Sequence, residues 1–172
     1  LDTITTIGTD IVELTGNHNN DTGAENNLKT IAKYRELGLK TVGGGENLAE
    51  ARKPLDVNDS IRLLAYNQST SSVANGQLAT DTTQGANPYS EEQVKLDLEK
   101  AKSENKFTII NLQYFECYAY PDSPISYPAC DKPIPNQQEF FRHLIDLGAD
   151  MVVGTSAHQP QTYELYHGKP IF

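Results

Sequence analysis

Several residue types are scarce in this sequence, and each scarcity excludes a class of protein. There is no Trp, one Met and only two Cys among 172 residues. Two Cys without closely spaced Cys or His partners do not make the ligand set of a structural zinc site. Apolar runs are short as well, and none approaches the ~18 residues that a membrane-spanning helix needs. The sequence therefore predicts neither a zinc-stabilised fold nor a helix that crosses a bilayer.

Basic residues are also few. Fourteen Lys and Arg stand against 23 Asp and Glu, which gives a formal net charge of −9. Surfaces that bind nucleic acid or anionic membranes carry an excess of positive charge, so neither partner is expected. A hydrophobic content of 37% over 172 residues is that of one globular domain with a real core.

The two cysteines, Cys117 and Cys130, flank a loop rich in Pro, Tyr and Ser. Two interpretations stay open, a pair of unpaired thiols and a disulfide that closes the loop. In the chain-entropy model such a disulfide would contribute roughly 3 kcal/mol. It would also imply an oxidising, extracytoplasmic compartment.

Strand and helix patterns alternate along the chain, which predicts one α/β domain. The predicted strands lie at 10–14, 39–42, 107–112 and 151–153, with hairpins at 55–66 and 162–172. After the tail of an amphipathic helix at 1–8, a helix is predicted to start at a capping box of Thr22 and Glu25 and to end at Gly38. It carries Leu28, Ile31, Ala32 and Arg35 at helical spacing. Ser90 caps a further helix, whose buried stripe is predicted to be Val94, Leu98 and Ala101. Another helix covers 136–150. The polar stretch 68–88 is predicted to be a long surface loop.

Polar clusters follow three of these strands directly. They are "TGNHNND" (15–21), "QYFEC" (113–117) and "GTSAHQPQ" (154–161). Loops at the carboxyl ends of strands in an α/β sheet converge on one crevice, where ligands bind. The residues expected to meet there are Asn17, His18, Gln113, Glu116 and His158. An Asn–His pair can bind a phosphoryl oxygen and donate a proton, and a second His can bind a metal.

Two long segments carry these clusters, "DIVELTGNHNNDTGAENNLKTIAKYRELGLKTVGGGENLAEARKP" (10–54) and "QQEFFRHLIDLGADMVVGTSAHQPQTYELYHGKPIF" (137–172). Both resemble the CapA (PgsA) family of bacterial poly-γ-glutamate capsule proteins. The resemblance implies a calcineurin-like metallophosphoesterase fold, with two stacked β-sheets flanked by helices and a two-metal centre at the strand ends. Residues 1–172 are then expected to form a single domain of this type, truncated at both ends.

The resemblance also implies roles for individual residues. Asn17 would be a metal ligand or phosphate contact, and His18 a proton donor. His158 matches a metal-binding histidine of the closing turn. The residues predicted to line a substrate are Asp21, Gln113, Glu116 and Glu164.

The sequence departs from the family pattern at two histidine positions. Gln113 stands at one, and Thr155 or Ser156 at the other. Neutral amide and hydroxyl oxygens bind Zn²⁺ or Mn²⁺ less well than imidazole does, although they suit harder cations. The sequence therefore predicts a weak or single site for a divalent metal (Mn²⁺, Mg²⁺ or Zn²⁺).

Three functions stay open. The first is a capsule or exopolymer synthesis factor at the cell surface, extracytoplasmic or anchored to the membrane through a segment missing from this chain. It would act beside an anionic polymer and other capsule-synthesis proteins. The second is a metal-dependent hydrolase of a small phosphate-bearing molecule. The third is a non-catalytic binding module, which the missing histidines favour.

Overall fold

A computed structural model describes residues 2–68, 76–114, 137–157 and 160–172. In these ranges the helices are α1 (Asp2–Thr6), α2 (Ala24–Glu36), α3 (Leu48–Ala51), α4 (Glu91–Ser103) and α5 (Gln137–Asp146). The strands there are β1 (Ile11–Glu13), β2 (Lys40–Val42), β3 (Gly44–Gly45), β4 (Leu55–Asp56), β5 (Ile61–Asn67), β6 (Gly85–Ala86), β7 (Phe107–Gln113), β8 (Met151–Thr155), β9 (Glu164–Tyr166) and β10 (Lys169–Ile171). No helix in the described ranges has the length and apolar character needed to cross a membrane.

Within the described ranges the strands form one six-stranded sheet and two separate pairs. The larger sheet, called the main sheet below, has the order β4-β5-β7-β8-β10-β9. Its inner strands β5, β7, β8 and β10 run parallel, and β4 and β9 pair antiparallel at the two edges. Strands β1 and β2 form a parallel pair, and β3 and β6 an antiparallel one. This is the predicted α/β class, a multi-stranded sheet flanked by helices, and both predicted hairpins are present.

The hydrophobic core lies between the main sheet and helices α4 and α5. Leu64, Ile110 and Val152 stand side by side on β5, β7 and β8, and each is at most 2% exposed. Helix α4 adds Val94 and Leu98, and α5 adds Phe141, Leu144 and Ile145. These positions repeat at helical spacing, so each helix buries one apolar face against the parallel strands. The buried stripe predicted for α4 is confirmed.

The start of α2 differs from the prediction. Its N-cap is Gly23, with φ 93°, and no side chain caps the helix. Thr22 lies one residue too early to act as a cap, so the predicted capping box is wrong. By contrast, the Ser90 hydroxyl accepts a hydrogen bond from the Gln93 amide at 3.4 Å and caps α4 as predicted.

The buried face of α2 also differs from the prediction. Ile31 is buried as expected, but its buried companion is Asn27, while Ala32 and Arg35 are exposed. The Asn27 side-chain amide donates to Asn20 Oδ1 at 2.8 Å, and this bond satisfies its polar group. This face of α2 packs on a polar loop. It therefore buries the Asn27 amide and leaves Ala32 exposed.

The stretch 76–88 is not the surface loop that its composition predicts. Gln77, Ala79 and Asn87 in this stretch are all less than 5% exposed, and β6 pairs with β3. Residue pair Leu78 and Ala86 forms a further bridge. The side-chain amides of Gln77 and Asn87 donate to Asp21 and to the Ala65 carbonyl, whereas Asn87 Oδ1 is buried without a hydrogen-bond partner among the described residues.

Two buried asparagines join the β1–β2 pair to the main sheet. Asn67, at the end of β5, donates its side-chain amide to the Thr15 carbonyl at 2.6 Å. The Asn87 backbone amide donates to the Gly43 carbonyl at 2.8 Å, and its side-chain amide donates to the Ala65 carbonyl at 2.8 Å. The Asn67 backbone amide in turn donates to the Asn87 backbone carbonyl at 2.7 Å. These bonds hold the β1–β2 pair against β5, with which it shares no strand pairing among the described strands.

Gly43 occupies the tightest point of this junction. It has φ 79°, and a Cβ there would lie 2.5 Å from Thr15 Cγ2 and 2.7 Å from Ala65 Cβ. Gly38 has the same φ of 79°, but a Cβ there would have nothing within 4 Å. Comparing substitutions at Gly43 and Gly38 therefore separates the cost of backbone conformation from the cost of steric overlap.

We expect Gly43→Ala to destabilise the chain more than Gly38→Ala. Both variants carry the left-handed penalty of about 1–2 kcal/mol. Only Gly43→Ala adds overpacking, which costs roughly 1–3 kcal/mol more. Urea unfolding of both variants measures the difference in the free energy of unfolding. Equal losses of stability in the two variants would show that the residues around Gly43 move easily to accommodate an added methyl group.

Candidate functional site

Loops from the carboxyl ends of β1, β7 and β8 meet at Gln113. Its side-chain amide donates to Asn17 Oδ1 at 2.9 Å and to Ser156 Oγ at 2.6 Å. Asn17 is 9% exposed and Gln113 is 4% exposed, so this contact is shielded from water. The structure thus brings together Asn17, Gln113 and Ser156, three residues from the clusters that the sequence places at one crevice.

The Gln113 side chain is engaged on its carbonyl side as well. Its Oε1 accepts from the Thr155 hydroxyl at 3.2 Å. Because an amide both donates and accepts, it links the loop after β1 with two residues at the end of β8. A glutamine at this position is therefore a connector between neutral groups, where the family resemblance expects a histidine.

His18, next to Asn17, forms a pair with Asp21. Its Nδ1 lies 2.6 Å from Asp21 Oδ2, and the two side chains are 64% and 51% exposed. When Nδ1 carries the proton it donates to the carboxylate, and the ring then presents Nε2 away from Asp21. The Asp21 carboxylate thus orients the imidazole that is predicted to donate a proton.

Buried amides anchor the loop that carries this pair. Gln77 donates to Asp21 Oδ1 at 3.0 Å and accepts from the Asn20 backbone amide at 2.6 Å. The Asn20 side chain donates to the Gly76 carbonyl at 2.9 Å and accepts from Asn27. Gln77, Asn20 and Asn27 were not among the predicted site residues. No sequence pattern identifies them, because polar side chains at these positions have the composition of surface loops and their partners lie far away in sequence.

A half-buried carboxylate lies just before this loop. Glu13, the last residue of β1, accepts from the Thr15 backbone amide at 2.6 Å and from the Thr15 hydroxyl. Burial raises the pKa of Glu13, and the two hydrogen bonds from Thr15 oppose that rise without cancelling it. The end of β1 therefore holds a carboxylate that is costly to ionise.

Glu164 is engaged elsewhere. It lies on the edge strand β9, where its carboxylate pairs with the Arg142 guanidinium (Nε to Oε1 2.9 Å) and accepts from Gln138 at 3.4 Å. These hydrogen bonds, first that from Arg142, lower the pKa of Glu164. The structure therefore ties this predicted substrate-lining residue to α5 and does not pair it with Asn17 or Gln113.

Several predicted site residues lie outside the described residues, namely Glu116, Cys117, Cys130 and His158. The remaining two histidines are placed at the surface. His143 Nε2 lies 3.2 Å from Glu91 Oε2, and the His167 side chain is 68% exposed.

The donor set at the crevice determines which cation it fits. In the described part of the chain, no group of three or more His, Cys, Asp or Glu side chains is arranged to hold a metal ion. Asn17 Oδ1 and Ser156 Oγ are neutral oxygens that already accept from Gln113. Such oxygens fit a hard cation such as Mg²⁺ weakly and Zn²⁺ poorly. The described residues alone do not make a two-metal centre.

The parallel sheet, its flanking helices and the polar crevice at the strand ends define a calcineurin-like α/β protein. The family model of the bacterial capsule synthesis protein PGA_cap matches residues 1–172. The chain belongs to this family, as the resemblance predicted.

Curated relatives agree with this assignment. The chain is 27% identical to the capsule biosynthesis protein CapA of Bacillus anthracis, covering 96% of this chain and 38% of that protein. It is 25% identical to the PGA biosynthesis protein CapA of Bacillus subtilis strain 168, covering 94% and 40%. A "probable polyglutamine synthesis accessory protein" of Mycobacterium tuberculosis is 25% identical, covering 98% and 44%. The chain thus spans about two fifths of the length of these relatives.

We expect Glu13→Gln to stabilise the chain at neutral pH and to have little effect in acid. A carboxyl group with a raised pKa contributes its full stability below its unfolded pKa, and that stability is lost as the pH rises through the folded pKa. Gln keeps an oxygen for Thr15 and carries no charge, so the gain at neutral pH is on the order of 1 kcal/mol.

Urea unfolding at acidic and neutral pH measures this effect. Glu36→Gln, at an exposed carboxylate that pairs with Lys33 at 2.7 Å, is the control. It should change stability by no more than about 0.5 kcal/mol. A loss of stability in Glu13→Gln at neutral pH would contradict the conclusion that the ionised Glu13 carboxylate is costly to bury.

Proposed function

We propose that this chain serves in the synthesis of a poly-γ-glutamate capsule or a related exopolymer at the cell envelope. The observation that carries the proposal is the match of the PGA_cap family model to the chain from residue 1 to residue 172. The names of the relatives, capsule and PGA biosynthesis proteins, support the same role. An extracytoplasmic position, with anchoring through a segment outside this chain and contact with other capsule-synthesis proteins, belongs to the proposal.

The crevice at Asn17 and His18 is proposed to bind an anionic oxygen, either a carboxylate of the polymer or a phosphate. The Gln113 amide stands beside Asn17 at 2.9 Å, and the Asp21 carboxylate orients His18 from 2.6 Å. In this role the imidazolium form of His18 keeps its Nδ1–H on Asp21, contacts the anion through Nε2–H and donates that second proton. Glu116 and His158 are proposed to complete the lining.

A divalent cation is proposed to take part weakly. Asn17 and His158 would hold it, and the ion would supply positive charge beside the bound anion. A chain with net charge −9 repels a polyanion, and such an ion reduces that repulsion. Neutral oxygens at Asn17 and Ser156 favour Mg²⁺ or Mn²⁺ over Zn²⁺ here.

The neutral donor set also bears on the two alternatives. A metal-dependent hydrolase of a small phosphate-bearing substrate needs firmly held metal ions, whereas a non-catalytic binding module does not. The hydrogen bonds of Gln113 to Asn17 and Ser156 support slow hydrolysis or binding alone. We therefore place the hydrolase second to the capsule function.

We expect Gln113→His to strengthen metal binding. Imidazole replaces a neutral amide next to Asn17, and imidazole is a better ligand for Mn²⁺ and Zn²⁺. Titration calorimetry should show affinity rising by roughly tenfold or more, the scale on which single changes around metal sites act.

Gln93→His is the matched control for that experiment. Gln93 lies on α4 and donates to Asp97 Oδ1 at 2.9 Å, so a histidine there tests whether any added imidazole binds metal. Equal affinities in wild type and Gln113→His would contradict a metal position beside Asn17.

We expect His18→Ala in the chromosomal gene of the full-length protein to abolish surface polymer. The reason is the loss of the anion contact and proton donor. His143→Ala, which removes a surface imidazole paired with Glu91, is the control and should leave polymer at the wild-type level. Immunoblots for the full-length protein show that both variants accumulate equally, and polymer is measured by its glutamate content.

The same two variants separate the alternatives when assayed on an aryl phosphate with added Mn²⁺. Rapid hydrolysis that depends on His18, with polymer unchanged in His18→Ala, would replace the capsule function by the hydrolase. Polymer loss without measurable hydrolysis in any variant supports the capsule function with a binding site.

A further inference from the structure

Gln77 is a buried polar residue whose side chain uses both of its ends on the loop that carries His18. It is 3% exposed. Its Nε2 donates to Asp21 Oδ1 at 3.0 Å, and its Oε1 accepts from the Asn20 backbone amide at 2.6 Å. Both contacts cross more than fifty positions of sequence, since Gln77 lies 56 residues from Asp21 and 57 from Asn20.

We propose that Gln77 is a positioning residue for His18 and acts through the Asp21 carboxylate. The proposal rests on the proposed function, in which His18 contacts the bound anion. The order of contacts is Gln77 Nε2 to Asp21 Oδ1, then Asp21 Oδ2 to His18 Nδ1 at 2.6 Å. Gln77 itself does not touch the ligand.

The exposure of the pair explains why a third residue is needed. The Asp21 side chain is 51% exposed and that of His18 is 64% exposed, so packing alone does not restrain either. A carboxylate held at one oxygen by a buried donor loses rotational freedom about its side-chain bonds. Asp21 then presents its second oxygen to Nδ1 in one orientation, and the imidazole ring follows.

Gln77 is itself held by rigid surroundings. Its backbone carbonyl accepts from the Ala86 amide at 2.8 Å, and β6 pairs with β3. Gly85 packs so closely on this segment that a Cβ there would lie 2.6 Å from the Gln77 carbonyl oxygen. The glutamine therefore projects from a fixed segment onto an exposed loop, which is the arrangement a positioning residue requires.

The position also selects for a glutamine. It must donate to a carboxylate and accept from a backbone amide at the same time, and a glutamine amide does both without a change of charge. Glu would oppose the Asp21 carboxylate with a second negative charge. Met has a similar length but neither donates nor accepts strongly, so it removes both contacts with little change of shape.

The test uses the full chain with Gln77→Met, and Gln93→Met as the matched control. Gln93 also donates to an aspartate, Asp97 Oδ1 at 2.9 Å, but on α4. The readout is the imidazole ¹⁵N spectrum of His18, recorded at a pH where the ring is neutral. It reports which nitrogen carries the proton. We expect His18 to be mainly protonated on Nδ1 in wild type and in Gln93→Met, and to shift towards Nε2 protonation in Gln77→Met.

A double variant shows whether the effect passes through Asp21. Asp21→Asn alone should shift the tautomer as Gln77→Met does, and the two changes together should add nothing further. If Gln77→Met does not fold, Gln77→Leu removes the same two contacts with an apolar side chain of similar volume and should give the same shift. An unchanged His18 tautomer in the folded variant, even with lowered stability, would overturn the proposal and leave Gln77 a structural residue.

The spectrum is recorded without substrate, so its outcome is independent of the capsule function. A shifted tautomer with normal polymer in His18→Ala cells would retain the positioning role and reject the proposed function. Polymer loss in His18→Ala cells with an unshifted tautomer in Gln77→Met would retain the proposed function and reject the positioning role of Gln77.

Discussion

The hydrogen bonds of two buried asparagines are the constraint on which the site depends. The Asn67 side-chain amide donates to the Thr15 carbonyl at 2.6 Å, and the Asn87 backbone amide donates to the Gly43 carbonyl at 2.8 Å. The β1–β2 pair has no strand pairing with the main sheet among the described strands, so these bonds set where it lies. Thr15 stands two residues before Asn17, which then meets Gln113. Each bond is modest on its own, but a buried amide left without a partner costs about 1–3 kcal/mol.

A site built of amides differs in its electrostatics from one built of histidines and carboxylates. Gln113, Asn17 and Ser156 carry no net charge, and their hydrogen bonds satisfy one another. Such a crevice neither collects metal ions strongly nor repels an anion. The hydrogen-bonded pair of His18 and Asp21 stands at its exposed side. For the proposed binding of an anionic group, this division makes the orientation of His18 more important than the strength of any metal site.

The sequence predicted those parts of the fold that follow from local pattern. The Ser90 cap, the buried stripe of α4 and both hairpins obey rules that act within a few residues. The errors lie where distant groups decide. Gln77 and Asn87 have the composition of a surface loop, yet they are buried because their partners lie far away in sequence. Thr22 had a capping pattern, but Gly23 sets the helix entry. At the site, topology predicted that Asn17 approaches Gln113, while no sequence pattern identified Gln77 as the partner of Asp21.

The sequence separation of these contacts has a consequence for how the protein folds. Gln77 bonds across 56 residues, and Gln113 across 96 to Asn17 and 43 to Ser156. Contacts between distant residues require long loops to close, which is slow compared with the formation of helices and hairpins. During synthesis from the amino terminus, α2 and the β4–β5 hairpin are able to form early, whereas the crevice waits for β8. The contacts of Gln113 with Asn17 and Ser156 therefore form only after β8 has been synthesised.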